Sequence, residues 1–483
     1  MKMRMRTEFQ LLGEPELEKC FREALKVWRA VEFKIQGTDE YFDLLLSYGC
    51  QVDGETVRFP EPVISKVLAR IADEKQAWDE KNANREAPWP ASDLTTFTHG
   101  QGLHICDTES NEIRPATESD LIQWCHLADA LDIPMRSHPT FIPTDVPLGS
   151  ADFHAFAQIV LNSRMPHRVS VYSARTLPLF IEACSIAKGS LEEVKKDPVF
   201  ATKCWVNSPF MITRENIEVA MDARRLIGAP LTFGHMPVAA AAAPVTLAGA
   251  LVQNTAESLA LCAMRLAVDD LTSGITGTSA TIDMRDACHR QTGPDLTLHL
   301  LAGSEMHAYL FGGRPAASIN SVAAQTVSPQ SLYEKAMYFS FNVAAGRRQL
   351  GVGCLAVSDI GSPVQLVLDC EMVKFFQKMF SDIAVDDAHI GLDTILSTIP
   401  RGAYYLDTDH TAEFFREESW FPEFVDHRPP LAWVQNPADM IDRGRARTRE
   451  VIAGAENRCP LSDADQSHVR ELIADADRIT ADA

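Results

Sequence analysis

The sequence predicts an α/β fold, a (β/α)₈ TIM barrel that follows an N-terminal helical extension. Short β-rich runs alternate with amphipathic helical runs from about residue 133 to residue 380, which is the pattern of a parallel sheet covered by helices. No G-x-G-x-x-G motif follows the first predicted strand, which disfavours a doubly wound dinucleotide-binding sheet. A length of 483 residues suits one barrel with extensions.

Residues 1–97 are predicted to form the helical extension, with one small hairpin. Apolar residues recur at three- and four-residue spacing in residues 16–33 and 39–49, as in amphipathic helices. The segment PEPVISKVLARI begins with the prolines typical of a helix start. QVDGETVRFP carries a hairpin turn signal at Asp53-Gly54. The polar, proline-rich WDEKNANREAPWPAS, from residue 78, is predicted to be a linker.

Residues 98–450 are predicted to form the barrel, and residues 451–483 a C-terminal helix and tail. A hairpin around residues 108–111 leads into a helix whose start, Thr117 to Asp120, is a capping signal. Seven β/α units follow. Their strand runs are residues 133–141, 167–173, 201–209, 230–238, 271–279, 314–321 and 347–354, and their helices are residues 153–161, 177–187, 214–227, 247–267, 296–311, 331–345 and 366–380. The eighth strand is expected at residues 383–385 or 403–406.

Charge and cysteine content predict a cytoplasmic protein that binds neither nucleic acid nor membrane. The formal net charge is -21, from 45 Lys+Arg and 66 Asp+Glu, which opposes binding to phosphate backbones. Eleven single cysteines without a C-x-x-C pair fit reduced thiols. The uncharged segment 236–256 is alanine-rich and contains two prolines, so we expect buried barrel there. The helix at 247–267 is apolar on nearly all sides, which predicts either packing in the barrel shell or a homo-oligomer interface.

The candidate site residues lie at or just beyond the ends of the predicted strands, because barrel active sites form at the carboxyl ends of strands. The candidate substrate-binding residues are His138, Tyr172, Asn207, Phe233, His235, Asn320 and Gln325. A lone histidine such as His235 is more often a hydrogen-bonded structural group than a catalyst. Tyr172 and Phe233, with Phe141 and Trp205, are candidates for an aromatic cage around a quaternary ammonium, or for ordinary core.

The predicted strand ends are polar but almost uncharged. No Asp, Glu or Lys closes any of the seven runs, which disfavours a Schiff-base enzyme or a carboxylate-pair glycosidase. An unrelated barrel lyase or decarboxylase should also show charged groups there. His104 and Cys106 are a close pair of metal-ligand type in the predicted hairpin, but a zinc site needs further ligands, so none is expected.

Four segments, in order, resemble the trimethylamine:corrinoid methyltransferase family over most of the chain. The most specific is MPVAAAAAPVTLAGALVQNTAESLA at residues 236–260. The others are CDTESNEIRPATESDL from Cys106, DIGSPVQLVLDCEM from Asp359 and RGAYYLDTDHTAEFFREESWFP from Arg401. The resemblance implies a barrel that receives a methylated amine and docks a separate corrinoid protein, whose Co(I) centre accepts the methyl group. It implies no tightly bound cofactor on this chain.

The family's methylamine-specific members carry pyrrolysine, whereas this chain contains only standard residues, and its segment SINSVAAQTVSPQSLYEK from Ser318 departs from the family pattern. We therefore expect a quaternary amine such as glycine betaine as substrate, because its leaving group is a neutral tertiary amine. His235, Asn207, Asn320 and Gln325 are candidate partners for a betaine carboxylate. The alternatives are a barrel that only binds or scavenges a small cation, and a methyltransferase with a folate acceptor.

Overall fold

A computed structural model of the chain describes residues 2–3, 10–82, 94–98, 101–131, 141–164, 169–290, 292–313 and 322–481. Helices make up most of its regular secondary structure. The helices are α1 (Glu14–Ala30), α2 (Asp39–Tyr48), α3 (Glu61–Asn82), α4 (Glu118–Ala130), α5 (Ala151–Asn162), α6 (Leu177–Lys188), α7 (Leu191–Lys196), α8 (Arg214–Ile227), α9 (Leu247–Asp269), α10 (Pro294–Phe311), α11 (Pro329–Ala344), α12 (Pro363–Met379), α13 (Asp387–Ile390), α14 (Leu392–Thr398), α15 (Asp409–Glu418), α16 (Pro430–Gln435), α17 (Met440–Gly454) and α18 (Asp463–Thr480).

The strands are short. They are β1 (Lys2–Met3), β2 (Phe33–Ile35), β3 (Gln51–Asp53), β4 (Thr56–Arg58), β5 (Thr95–Phe97), β6 (His104–Cys106), β7 (Ile113–Pro115), β8 (Val169–Ser170), β9 (Phe200–Ala201), β10 (Cys204–Val206), β11 (Met211–Ile212), β12 (Phe233–His235), β13 (Val238–Ala239), β14 (Ile275–Gly277), β15 (Ala280–Asp283), β16 (Cys288–Arg290), β17 (Gln349–Gly351), β18 (Cys354–Leu355), β19 (Ile360–Gly361) and β20 (Ile383–Ala384).

Side-chain caps fix the starts of several helices. The Thr117 hydroxyl accepts from the Asp120 amide, and the Asp120 carboxylate accepts from the Thr117 amide, which forms the predicted capping box of α4. Thr246 caps α9 by accepting from the Gly249 amide. Ser462 caps the C-terminal helix α18 in the same way. The helices predicted for all seven β/α units are present as α5, α6, α8, α9, α10, α11 and α12.

Parallel pairing joins the strands expected in the body of the chain. β10, β12 and β14 form a three-stranded parallel sheet, and β8 pairs with β9 in parallel. The predicted strand at 133–141 is described only at Phe141, which forms an isolated parallel bridge with Gly102. The predicted strand at 314–321 lies outside the described residues. The prediction of an α/β fold is confirmed, with the described strands divided among several short sheets.

Neither version of the predicted eighth strand joins a parallel sheet within the described residues. Ile383–Ala384 is a strand, but it pairs antiparallel with Lys2–Met3, and residues 403–406 form no strand. Instead β5 pairs in parallel with β17, across some 250 residues of sequence. Local patterns do not reveal such a pairing, because its partner lies far along the chain.

Two of the observed hairpins were predicted from the sequence, and a third hairpin was not. β3 and β4 pair antiparallel around Asp53-Gly54, and β6 and β7 form the second predicted hairpin. β15 and β16 form a further hairpin that was not predicted. The predicted linker from residue 78 is partly wrong, because α3 continues to Asn82; residues 83–93 lie outside the described residues.

The apolar interior falls into two large clusters of buried side chains. One lies around α4, α5, α6, α11, α12 and α18. The other joins α1, α2 and α3 to α8, α9 and α10. α9 contacts α1, α2, α3 and α10 as well as β12 and β14, so packing in the helical shell accounts for its apolar surface. No helix in the described part of the chain is long and apolar enough to cross a membrane. All eleven cysteines are free thiols.

Candidate active site on the β10–β12–β14 sheet

The three parallel strands β10, β12 and β14 are held in a register that sorts their side chains onto two faces. Trp205, Gly234 and Thr276 stand side by side in one row, and Val206, His235 and Gly277 in the next. Because side chains alternate along a strand, the two rows point to opposite sides of the sheet. We call the side of Trp205 and Thr276 the open face and the side of His235 the helix-side face.

The open face carries an accessible aromatic ring beside a cation. The Trp205 side chain is 43% exposed, and Thr276 is exposed next to it. Lys203 lies two residues before Trp205 and therefore on the same face. Its Nζ lies 5.7 Å from the centre of the Trp205 ring and donates to Thr276 Oγ1 at 3.1 Å.

Gly234 makes room for this arrangement. A Cβ at position 234 would lie 2.8 Å from two atoms of the Trp205 indole and 3.0 Å from Cδ of Lys203. Real side chains do not approach so closely, so any other residue would displace the ring or the lysine stem. The absence of a side chain in the middle strand therefore lets Trp205 and Lys203 lie across the sheet.

The helix-side face carries a buried polar network. His235 and Glu257 are both 0% exposed. His235 Nδ1 lies 3.1 Å from Glu257 Oε2, and His235 Nε2 lies 2.9 Å from Ser258 Oγ. A proton on Nδ1 suits the carboxylate and leaves Nε2 to accept from the Ser258 hydroxyl. Both nitrogens of the imidazole are thus engaged by α9.

Further donors complete the surroundings of the Glu257 carboxylate. Ser208, just after β10, donates its hydroxyl to Oε2 at 2.7 Å. Gln253, one turn earlier on α9, donates to Oε1 at 3.2 Å and to the Ala242 carbonyl at 2.5 Å. Burying a carboxylate is costly unless hydrogen bonds surround it. The network therefore ties α9 to the carboxyl ends of β10 and β12.

A second polar group lies beside the end of β8. It is the carboxylate of Asp152 on α5, which accepts from the Tyr172 amide at 2.9 Å and from the Phe153 amide at 2.8 Å. Burial raises the pKa of the Asp152 carboxyl. The Tyr172 side chain is 56% exposed, and its hydroxyl hydrogen-bonds to Gln101. Tyr172 is thus the second accessible aromatic side chain among those named from the sequence.

The other residues predicted from the sequence take different positions. Phe233 is fully buried in the apolar cluster on the side of α9, and Phe141 is buried edge-on against Trp124, so neither ring is accessible to a ligand. Asn207 is exposed, and its backbone amide donates to the Met211 carbonyl. Gln325 is exposed and donates to the Ala323 carbonyl. His138 and Asn320 lie outside the described residues.

Two functional groups were missed by considering only the residues that close the strands. Lys203 lies within the strand run and not at its end. Glu257 lies on the following helix, where a single carboxylate in an otherwise apolar stretch, TAESLALC, is a signal of a buried partner. Within the described residues, no group of three or more His, Cys, Asp or Glu side chains has a metal-binding arrangement.

The open face and the helix-side face differ in what they can do chemically. An accessible indole binds organic cations through its π face, and an ammonium beside it attracts anions. His235 and Glu257 are fully enclosed, so this pair can hold β12 and α9 in place but does not contact solvent. The open face is therefore the candidate ligand-binding surface.

Comparisons with known proteins identify relatives along the whole chain. The trimethylamine methyltransferase MttB of Desulfitobacterium hafniense is 23% identical over 462 residues, covering 94% of this chain and 91% of the relative. A glycine betaine methyltransferase of Desulfitobacterium hafniense is 22% identical over 454 residues, covering 92% and 93%. Among solved structures, the monomethylamine methyltransferase MtmB of Methanosarcina barkeri covers 93% of this chain and 94% of its own, with 11% identity and a TM-score of 0.39.

The family model of the trimethylamine methyltransferases (MTTB) matches residues 2–479. This match confirms the resemblance predicted from four sequence segments and the expectation of a methyltransferase. The chain belongs to the trimethylamine methyltransferase family.

Proposed function

We propose that the protein transfers a methyl group from a quaternary amine of the glycine betaine class to the reduced cobalt of a separate corrinoid protein. The observation that carries this proposal is the accessible Trp205 ring on the open face of the sheet. A quaternary ammonium has no N–H to donate, so a protein recognises it mainly through aromatic faces. The name of the glycine betaine methyltransferase relative supports the same substrate class.

The chemistry of a quaternary amine requires no acid in the site. When the C–N bond breaks, its electron pair stays on nitrogen, so the leaving group is already a neutral tertiary amine. No proton has to be delivered to it. The protein has only to hold the methyl carbon in line with the acceptor and to exclude water. The enclosed His235–Glu257 pair then acts on the reaction only by positioning β12. The carboxylate of a betaine needs a partner on the open face.

The same proposal places the reaction in a closed (β/α)₈ barrel. Its support is the order of the parallel pairs, because β5 pairs with β17, β8 with β9, and β10 with β12 and β14. The isolated bridge between Gly102 and Phe141 adds a link beyond β5. A crystal structure tests this closure, which requires a strand at residues 314–321 between β14 and β17.

Roles for the individual site residues remain part of the proposal. Tyr172 is the second accessible aromatic group, and Asn207, just after β10, and Gln325 are exposed polar residues. His138 and Asn320 stay predictions from the sequence. The corrinoid belongs to the methyl acceptor, which is the second substrate.

The experiment combines the purified protein with glycine betaine and chemically reduced free cobalamin, which serves as the acceptor. We expect dimethylglycine, detected by mass spectrometry, together with the absorbance change of a methylated corrinoid. Parallel reactions contain trimethylamine as donor, or tetrahydrofolate as acceptor. Methyl transfer to folate alone would replace the corrinoid in the proposal. Binding of glycine betaine without any dimethylglycine, with glycine betaine, proline betaine and carnitine all inactive, would favour a binding protein.

A further inference from the structure

The helix α14 presents a stripe of apolar side chains to solvent. α14 continues without a break into a turn of 3₁₀ helix at Ile399–Arg401, because Ile399 keeps helical backbone angles. Leu392, Leu396 and Ile399 are each more than half exposed. Their spacing of four and then three residues places them on the same side of the helix. The apolar side of this helix therefore faces outwards.

Two more exposed apolar side chains follow the helix. Tyr404 and Leu406 are 80% and 88% exposed. Together with Leu392, Leu396 and Ile399 they form what we call the 392–406 patch. Side chains of this size expose on the order of 150 Å² each when nothing covers them, so the patch offers roughly 500 Å² of apolar surface. Apolar patches of this size on a protein surface commonly mark an interaction site.

The helices around the patch depend on packing that the described part of the chain does not supply. α13, α14 and α15 are 4, 7 and 10 residues long, and none of their apolar side chains is buried. Helices this short are unstable in water on their own and gain their stability by packing an apolar face against a neighbour. Stable helical structure at the patch therefore requires a second surface that covers the stripe.

We propose that the 392–406 patch is the interface of a homodimer, in which it packs against the same patch of a second copy of this chain across a two-fold axis. A stable interface covers about 800 Å² on each partner, and homodimer interfaces are about 65% apolar. The roughly 500 Å² of apolar surface in the patch matches this requirement. A two-fold axis lets one surface serve both copies, and a stripe with this spacing packs well against another helix.

A second copy suits the patch better than the methyl acceptor does. An acceptor protein has to leave after each transfer, and its departure would remove the packing of α14. A second copy is present wherever the chain is made and stays bound. Because homodimer interfaces are permanent, they are also more apolar than those of transient complexes.

The patch is attached to a different part of the core from the open face. Lys378 of α12 donates to the Glu417 carbonyl of α15. The Phe375 ring of α12 packs edge-on against Trp420, which follows α15. α12 belongs to the first apolar cluster, whereas the β10–β12–β14 sheet packs in the second. Dimer formation is therefore expected to be independent of the substrate proposed for the open face.

Sedimentation of the full-length protein over a range of micromolar concentrations tests the proposal. We expect a dimer with a dissociation constant below about 1 μM. Leu396→Asp combined with Leu406→Asp places carboxylates in the apolar interface, so the dissociation constant should rise by about 100-fold or more. Leu148→Asp combined with Met284→Asp adds the same charges at exposed apolar positions outside the patch. This matched control should dimerise as the wild type does.

Hydrogen exchange of residues 392–406 gives an independent measurement. Protection should rise with protein concentration in the wild type and should stay low in the double variant, because α14 is packed only in the dimer. Circular dichroism verifies that each variant is folded. Leu396→Ala combined with Leu406→Ala replaces the aspartate variant if that one unfolds.

Three results would overturn the proposal. They are a wild-type protein that stays monomeric at the highest concentration, a dissociation constant that is unchanged in the double variant, or strong protection of residues 392–406 in a monomer. If the wild type is monomeric and these residues become protected only after a corrinoid protein is added, the patch binds that protein and not a second copy.

Discussion

The two faces of the β10–β12–β14 sheet carry polar chemistry of opposite kinds. On the helix-side face, His235 and Glu257 are fully buried and bonded to each other and to α9. On the open face, Trp205 and Lys203 lie over a glycine and remain partly accessible. Residues of neighbouring strands are thus either buried in a polar network or left partly accessible, according to the side on which they point. A charged or aromatic residue near a strand end is therefore informative only once its face is known.

The largest expected effect comes from breaking the network on the helix-side face. Glu257→Ala leaves His235, Ser208 and Gln253 without their common acceptor, and we expect the free energy of unfolding to fall by about 3–5 kcal/mol. Urea unfolding followed by circular dichroism measures this change. Glu471→Ala, an exposed position on α18, is the control and should change it by less than about 0.5 kcal/mol. Loss of methyl transfer at unchanged stability would instead assign the network a catalytic role.

A pair of glycine substitutions tests the two faces separately. In Gly277→Ala the new Cβ would lie 2.8 Å from His235 Nε2 and 2.9 Å from Asn254 Oδ1, so we expect a loss of about 1–3 kcal/mol in stability. In Gly234→Ala the new Cβ displaces Trp205 or Lys203, and we expect glycine betaine affinity to fall about tenfold. Urea unfolding and calorimetry on both variants provide the comparison. Equal effects of the two substitutions on affinity would show that the faces are not separate.

The smallest expected effect concerns the aromatic ring itself. Trp205→Leu removes the π face, and we expect KM for glycine betaine to rise about 2- to 30-fold, as the loss of a cation–π contact predicts. Trp205→Phe should recover part of the affinity, because it restores a smaller ring. Trp433→Leu is the matched control, since Trp433 has a similar exposure of 44% on α16. An unchanged KM in Trp205→Leu would remove Trp205 from the substrate site.

Local patterns were sufficient to predict the helices of the seven β/α units and the cap of α4. The apolar periodicity and the capping residue Thr117 depend only on neighbours in sequence, and the structure agrees with both. The pairing of β5 with β17 was not predictable in this way, because parallel partners can be separated by hundreds of residues. The boundaries of the predicted barrel domain, after residue 97 and at residue 450, stay predictions from the sequence.

The candidate site was predicted only in part. His235 was selected for its position at a strand end, but the sequence does not state on which face a three-residue strand places its last side chain. Phe233 shares that face and is equally buried. Lys203 was overlooked because it lies just before β10, at the amino end of the strand, whereas the predicted site residues lie at the carboxyl ends of strands. The two-residue spacing places Lys203 and Trp205 on one face, and the register places Gly234 and Thr276 on that same face.

The packing of α9 against the N-terminal helices has a consequence for synthesis of the chain. The apolar side of α1, which includes Trp28, is covered by α9, yet roughly 200 residues separate the two helices. At a translation rate of about 5–20 residues per second, α1 waits on the order of 10–40 s for its partner to leave the ribosome. During that interval its apolar side has no final partner. We therefore expect the nascent N-terminal helices to be a binding site for chaperones that act on emerging chains.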